Sequence, residues 1–133
     1  RPIIRGLPDV LAALGSGFAH EPVEEFRVLL LDARHRVMAI PTVSRGTLTA
    51  SLVHPREVLR PALLSRSAAV ILAHNYPSGD PEPSREDDEV TTRLVRAGQI
   101  LGIPVLDHVI VACHGTFDYR GSRPERLDAK GLP

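Results

Sequence analysis

A continuous apolar run from Ala68 to His74 is the feature that most constrains the fold of this chain. A strand with one face in water alternates apolar and polar residues, so an unbroken run of strand length indicates a strand that is covered on both faces. The run ends in a cluster of turn formers at 75–81, and a helix is predicted from Ser84 until Gly102 stops it. The predicted buried stripe of this helix comprises Val90, Leu94, Ala97 and Leu101.

The rest of the chain supplies further strands and helices around this central strand. The sequence predicts a helix over 7–14, strands over 24–32 and 37–44 that form a hairpin, a helix that begins at 54–57, a strand over 105–112 and a short return over 115–120. Pro61 falls inside the second helix and its ring would clash with the carbonyl of Glu57, so we expect a kink or two short turns there. Strands that alternate with helices indicate a three-layer α/β sandwich.

The composition limits the classes of function. The 133 residues suffice for one domain, and 16 basic side chains are balanced by 16 acidic ones, which argues against an affinity that depends mainly on neutralising phosphates. No apolar stretch is long enough to span a membrane, so we expect a cytoplasmic protein without a membrane partner. Cys113 is the single cysteine, so any metal must be bound by His, Asp, Glu or Tyr.

Three residues around the loop after the central strand are the candidates for a functional site. His74 and Tyr76 point to the same face if the extended conformation continues through Asn75. Asp87 precedes Val90 by three residues, which places its carboxylate on the inward stripe of the helix. The pattern therefore predicts an acid that faces inward beside an imidazole.

Structural explanations for the same residues remain open at this point. Ser84 followed by Asp87 satisfies the capping-box pattern, in which the hydroxyl and the carboxylate bind backbone amides at the start of the helix. His74 could equally be a buried imidazole that binds a backbone carbonyl. His108, on the last long strand, is interpreted as a core imidazole, with a supporting role near a metal as the alternative.

Taken together, these residues resemble a known metal motif. The run His74-Asn75-Tyr76-Pro77, six further residues and then Ser84-Arg85-Glu86-Asp87 resemble the JAMM motif of JAB/MPN domains, H-x-H-P-x6-S-x-x-D. The amino-acid sequence of this region closely resembles that of the RadC family, a bacterial family labelled as DNA repair proteins. Three further segments resemble the same family: 24–32, 46–57 and 106–111.

This resemblance implies a fold and a chemistry. The implied fold is the α/β/α sandwich with a mixed sheet of JAB/MPN domains, which is cytidine-deaminase-like, and the implied cofactor is Zn²⁺. In the family pattern two histidines and one aspartate bind the zinc, which here makes His74 and Asp87 ligands. Glu24 is implied as the base that accepts a proton from the zinc-bound water, with Glu25 as a competitor, and Ser84 as the donor to the oxyanion. The implied partner is a protein or peptide substrate.

The resemblance also suggests how the chain is organised. We expect an N-terminal helix and linker over 1–23, the RadC-like JAB/MPN domain over 24–120 and a polar tail over 121–133. RadC-like chains usually carry an upstream helical domain of a DNA-binding type. Because this chain begins at Arg1 rather than Met, we expect that such a preceding domain has been removed.

The sequence departs from the family pattern at the second metal-binding histidine, which is Tyr76 here. A phenol must lose a proton with a pKa of about 10 before it binds a metal well, so Tyr76 should impair the zinc site. Natural degeneration, deliberate inactivation and true ligation by Tyr76 all stay open. The corresponding functions are a JAMM-type zinc hydrolase with impaired activity, a catalytically inactive protein-binding module and an accessory to DNA repair, for which direct nucleic-acid binding is left open.

Overall fold

The computed structural model describes residues 1–46, 53–77 and 79–128. Residues 47–52, which belong to one of the segments that carry the resemblance, Ser78 of the motif loop and residues 129–133 of the predicted tail lie outside the described part. None of the helices in the described residues is long and apolar enough to cross a bilayer.

In the described residues, a mixed sheet of six strands forms the centre of the fold. The strands are β1 (Glu25–Leu31), β2 (Val37–Ala39), β3 (Thr42–Arg45), β4 (Ala69–Tyr76), β5 (Val105–Ala112) and β6 (Gly115–Asp118). Their order is β2-β1-β4-β5-β6, and β3 pairs with the other end of the β1 edge that β2 occupies. Among the strands of the described ranges, β4 and β5 are the one parallel pair, because a helix crosses over between them. The predicted mixed α/β fold is confirmed.

Helices cover both faces of this sheet. They are α1 (Leu7–Leu14), α2 (Pro55–Leu64), α3 (Arg85–Leu101) and α4 (Tyr119–Ser122), with 3-10 turns at Phe18–His20 and Pro124–Leu127. One core lies between the sheet and α2 and α3, and the other between the sheet, α1 and the first 3-10 turn. The central strand β4 contributes alternate side chains to both cores, which explains its unbroken apolar run.

Several local predictions need correction. The strand expected over 37–44 is two strands, β2 and β3, with a break that includes Pro41, which has no N–H to donate to the sheet. The helix α2 continues through Pro61 as one element rather than as two turns. On α3, Leu101 is largely exposed, and the buried face runs instead through Thr91, Val95 and Gly98 together with Val90 and Leu94.

The segment that follows β6 packs onto the domain as far as residue 128. Arg123 donates two hydrogen bonds to the carboxylate of Asp88 on α3, at 2.9 and 3.0 Å. Leu127 packs against the core under α3, so the described part of the predicted polar tail is not free in solvent. The hydrophobic pattern of the sequence does not predict this docking, because charged side chains make many of its contacts.

Candidate metal centre

The candidate centre lies where β4 ends and α3 begins. The strand β4 extends through Asn75 to Tyr76, so His74 and Tyr76 point to the same face as predicted, with ring centroids 5.0 Å apart. Asp87, in the first turn of α3, brings its carboxylate between them. The strand, the loop and the helix therefore bring together the three residues that the sequence singled out.

Asp87 serves both as a helix cap and as part of this cluster. Its backbone N–H donates to Ser84 Oγ at 3.2 Å and its Oδ2 accepts from the Ser84 backbone N–H at 2.8 Å, which completes the capping box. The hydroxyl of Tyr76 donates to the same Oδ2. The other oxygen, Oδ1, lies 3.4 Å from Nε2 of His74. The two explanations for Asp87 are thus compatible, because each uses a different side of one carboxylate.

His74 presents one ring nitrogen to this cluster. Its side chain is buried, and Nδ1 is 2.9 Å from Nε2 of His108. Its own Nε2 is buried and has no hydrogen-bond partner among the described residues. Burial lowers the pKa of His74 to about 3, so the ring is neutral at pH 7 and carries a lone pair. An unpartnered polar atom in such a place is costly unless something binds it.

His108 is a core imidazole that also contacts the candidate ligand. It lies on the same face as His74, while Asp107 turns to the other face, as the alternation of a strand predicts. The ring of His108 stacks on Tyr119 with centroids 5.0 Å apart, and its Nδ1 is 2.6 Å from the hydroxyl oxygen of Thr91. His108 is therefore a core imidazole, and its contact with His74 is the one that a supporting role near a metal would use.

Thr91 and Tyr119 are the members of this network that the sequence interpretation missed. Thr91 follows Asp87 by one helical turn, and this spacing is the signal that could have placed both residues on one face of α3. Tyr119 gives no such signal, because it reaches the site only through the fold-back after β6.

The two candidate bases differ in the groups that they act on. Glu24 directly precedes β1, and its charge contributes to raising the pKa of Asp87. The carboxylate of Glu25 is instead bound by Arg27 at 2.8 Å and by Arg45 at 3.3 Å. The two arginines that bind Glu25 and the charge effect of Glu24 on Asp87 therefore favour Glu24 over Glu25 as the candidate base.

The charges of the cluster reflect its burial. Burial raises the pKa of Asp87 to about 6, the Ser84 backbone N–H opposes this shift, and the negative charges of Glu24 and Asp88 add to it. At pH 7 the centre therefore combines the neutral imidazole of His74 with the carboxylate of Asp87, whose pKa the charges of Glu24 and Asp88 help to raise. A cation would relieve this arrangement.

The donor atoms fit a zinc ion in part. Two ligands of one tetrahedral Zn²⁺, each about 2.0 Å from the ion, lie about 3.3 Å apart. The separation of 3.4 Å between His74 Nε2 and Asp87 Oδ1 agrees with this value. No group of three His, Cys, Asp or Glu side chains suited to a metal occurs in the described part of the chain. The third position belongs to Tyr76, whose hydroxyl donates a hydrogen bond to Asp87 instead of offering a ligand charge.

Comparisons with known proteins agree with the fold and the motif. A family model described as "RadC-like JAB domain" matches residues 4–123. A UPF0758 protein of Symbiobacterium thermophilum is 54% identical over 111 residues, which are 84% of this chain and 47% of that protein. A UPF0758 protein of Rubrobacter xylanophilus is 54% identical over 111 residues, 84% of this chain and 49% of that protein. The chain spans about half the length of these two relatives.

Proposed function

Since this chain belongs to the RadC-like JAB domain family, we propose that it is a metallohydrolase-type domain whose zinc site is weakened by Tyr76. Its substrate would be a peptide or isopeptide bond of a protein partner. His74 and Asp87 would hold Zn²⁺, and Tyr76 takes the place of a further imidazole. The domain would therefore bind zinc weakly and hydrolyse its substrate slowly.

The observation that carries this proposal is the buried, unpartnered Nε2 of His74, 3.4 Å from Asp87 Oδ1. A buried histidine with a purely structural role would place both ring nitrogens in hydrogen bonds. Here one nitrogen is bonded and the other faces a carboxylate oxygen at the separation expected of two ligands of one ion. The charge of the neighbouring Glu24 also favours a cation at this place.

The surrounding residues supply the groups that amide hydrolysis needs. Bound zinc would supply a water of lowered pKa and a Lewis acid for the scissile carbonyl. We assign to Glu24, whose charge acts on Asp87, the role of accepting a proton from a water at the centre. Ser84 accepts a hydrogen bond from Asp87 N, a contact that uses a lone pair of Oγ and not the hydroxyl proton. That proton is the donor that we assign to the oxyanion.

The contact between Tyr76 and Asp87 explains why this site should be weak. The phenol stays protonated near neutral pH and donates to Oδ2, so it adds no negative charge or lone pair to the ion. Loss of a residue that merely supports a ligand costs roughly 10- to 100-fold in metal affinity, and a missing ligand should cost at least as much. We therefore expect the Tyr76→His variant to bind Zn²⁺ at least about 100-fold more tightly than the present chain.

Zinc titration against a chromogenic chelator, with metal-free protein at pH 7.5, tests this proposal. Tyr76→His should gain zinc affinity and hydrolysis of a peptide or isopeptide substrate, and Tyr76→His combined with Asp87→Asn should lose both. The Asn variant is the matched control because its amide oxygen can still accept the Ser84 N–H of the cap. Equal zinc affinity of Tyr76→His and the present chain would contradict the proposal.

The same contact favours a second function, that of a catalytically inactive protein-binding module. If the Tyr76 hydroxyl stays hydrogen-bonded to the Asp87 carboxylate and no metal displaces it, the domain keeps its fold without a metal. This alternative predicts that the present chain binds no zinc at any accessible concentration, whereas Tyr76→His does. Weak but measurable zinc binding, abolished by Asp87→Asn, supports the weakened hydrolase instead.

A further inference from the structure

The buried side chains of Thr91, His108 and His74 form a chain of contacts from the helix α3 to the unpartnered Nε2 of His74. The Thr91 hydroxyl oxygen lies 2.7 Å from the backbone carbonyl oxygen of Asp87 and 2.6 Å from Nδ1 of His108. Nε2 of His108 lies 2.9 Å from Nδ1 of His74. All three residues are at most 1% exposed, so water cannot supply or remove hydrogen bonds within this chain of contacts.

The distances determine which atoms carry the protons. Two oxygen acceptors do not lie 2.7 Å apart unless a proton is between them, so the single proton of the Thr91 hydroxyl goes to the carbonyl of Asp87. Thr91 must then accept its second hydrogen bond, and His108 must carry its proton on Nδ1. This leaves a lone pair on Nε2 of His108, which accepts a proton from Nδ1 of His74.

The far end of the chain of contacts agrees with this assignment. Nε2 of His74 is buried and makes no hydrogen bond to a described residue, so it does not carry a proton that points at Asp87. A proton on Nδ1 of His74 leaves a lone pair on Nε2. Two acceptors, this lone pair and Asp87 Oδ1, then face each other, and they lie 3.4 Å apart without a hydrogen bond.

We propose that Thr91 and His108 are positioning residues that fix His74 in its Nδ1–H tautomer and so present the Nε2 lone pair to the centre. The tautomer is inferred from the contacts alone, and the inference rests on the proposed function only for the use of that lone pair to bind zinc. Thr91 donates to the carbonyl of Asp87 itself. The turn of α3 that supplies one candidate ligand therefore also orients the other.

Removal of the Thr91 hydroxyl should reverse the whole chain of hydrogen bonds. In Thr91→Val, Nδ1 of His108 loses its acceptor, and a proton left there would be buried without a partner. His108 should then carry its proton on Nε2 and donate to His74, which would move the His74 proton to Nε2. That proton would point at Asp87 Oδ1 and block the metal position. Thr91→Ser keeps the hydroxyl and is the matched control.

Two-bond ¹H–¹⁵N correlation spectra of the histidine rings read the tautomers directly. In the metal-free chain with a chelator at pH 7.5, His74 and His108 should both show a protonated Nδ1 and an unprotonated Nε2. Thr91→Ser should give the same pattern, and Thr91→Val should show Nε2–H for both rings. A protonated Nε2 on His74 in the unmodified chain overturns the proposal, whether or not any variant folds.

Zinc titration separates this inference from the proposed function. In the Tyr76→His background, Thr91→Val should weaken zinc binding about 10- to 100-fold, and Thr91→Ser should restore it. Full zinc affinity in the Thr91→Val double variant overturns the positioning role. If neither the present chain nor Tyr76→His binds zinc while the tautomers are as stated, the proposed metal function fails and the assignment of Thr91 and His108 stands.

Discussion

Replacement of Tyr76 by Phe should change stability and metal affinity in different directions. The variant removes one hydroxyl, which donates to Oδ2 of Asp87, and keeps the ring that packs beside His74. Hydrogen bonds to a charged group contribute about 1.5–3 kcal/mol, and the Asp87 side chain is only 12% exposed. We therefore expect the free energy of unfolding of the metal-free protein to fall by about 1.5–3 kcal/mol at pH 7.5.

The pH dependence of this loss provides an internal check. The pKa of Asp87 is about 6, so the carboxylate is charged at pH 7.5 and largely protonated at pH 5. A hydrogen bond to the neutral acid is weaker, about 0.5–1.5 kcal/mol, so the difference between Tyr76→Phe and the present chain should shrink at pH 5. Urea denaturation of both proteins at the two pH values measures this difference in the free energy of unfolding.

Zinc affinity should respond differently, because the lost hydroxyl competes for Asp87 rather than serving as a ligand. We expect Tyr76→Phe to bind Zn²⁺ as tightly as the present chain or more tightly, since Oδ2 of Asp87 is released. Chelator competition at pH 7.5 gives the dissociation constants. A loss of tenfold or more in zinc affinity would refute the reasoning, because it would show that the Tyr76 oxygen binds the metal.

Two further predictions concern the scaffold. Burial and the nearby Asp118 raise the pKa of Asp107 above its value in the unfolded chain, so its contribution to stability is present below about pH 4 and is lost as the pH rises to about 7. Asp107→Asn should therefore be stabilised relative to the unmodified chain as the pH rises from 4 to 7, and parallel stability curves in urea denaturation would contradict this. In Gly98→Ala the new Cβ would lie 2.4 Å from the backbone oxygen of Ile103. We therefore expect the free energy of unfolding, measured by thermal unfolding, to fall by about 1–3 kcal/mol. Gly17→Ala, which meets no atom within 4 Å, is the control, and equal melting temperatures for the two variants would exclude the clash.

The parts of the fold that depend on local patterns could be predicted from the sequence. The apolar run of β4 and the capped start of α3 at Ser84 determine one strand, one loop and one helix, and thereby the approach of His74 and Asp87. These features need only the alternation of a strand and the periodicity of a helix.

The remaining parts depend on contacts between distant residues. Thr91 has the polarity of a surface residue, yet it is buried, and its hydroxyl contacts His108 of the distant strand β5. The docking of the segment after β6 depends on Arg123 and Asp88, which are 35 positions apart in the chain. No local pattern predicts such pairs, because charged side chains in a sequence usually indicate solvent exposure.

Asp87 is both a helix cap and a candidate ligand, and this has a consequence for what its presence in a sequence means. An aspartate that also closes the first turn of α3 contributes to folding whether or not an ion is bound. The presence of this aspartate in a sequence is therefore weak evidence for enzymatic activity. The cap also holds Asp87 beside His74, so under the proposed function the single exchange Tyr76→His would be enough to add the third ligand.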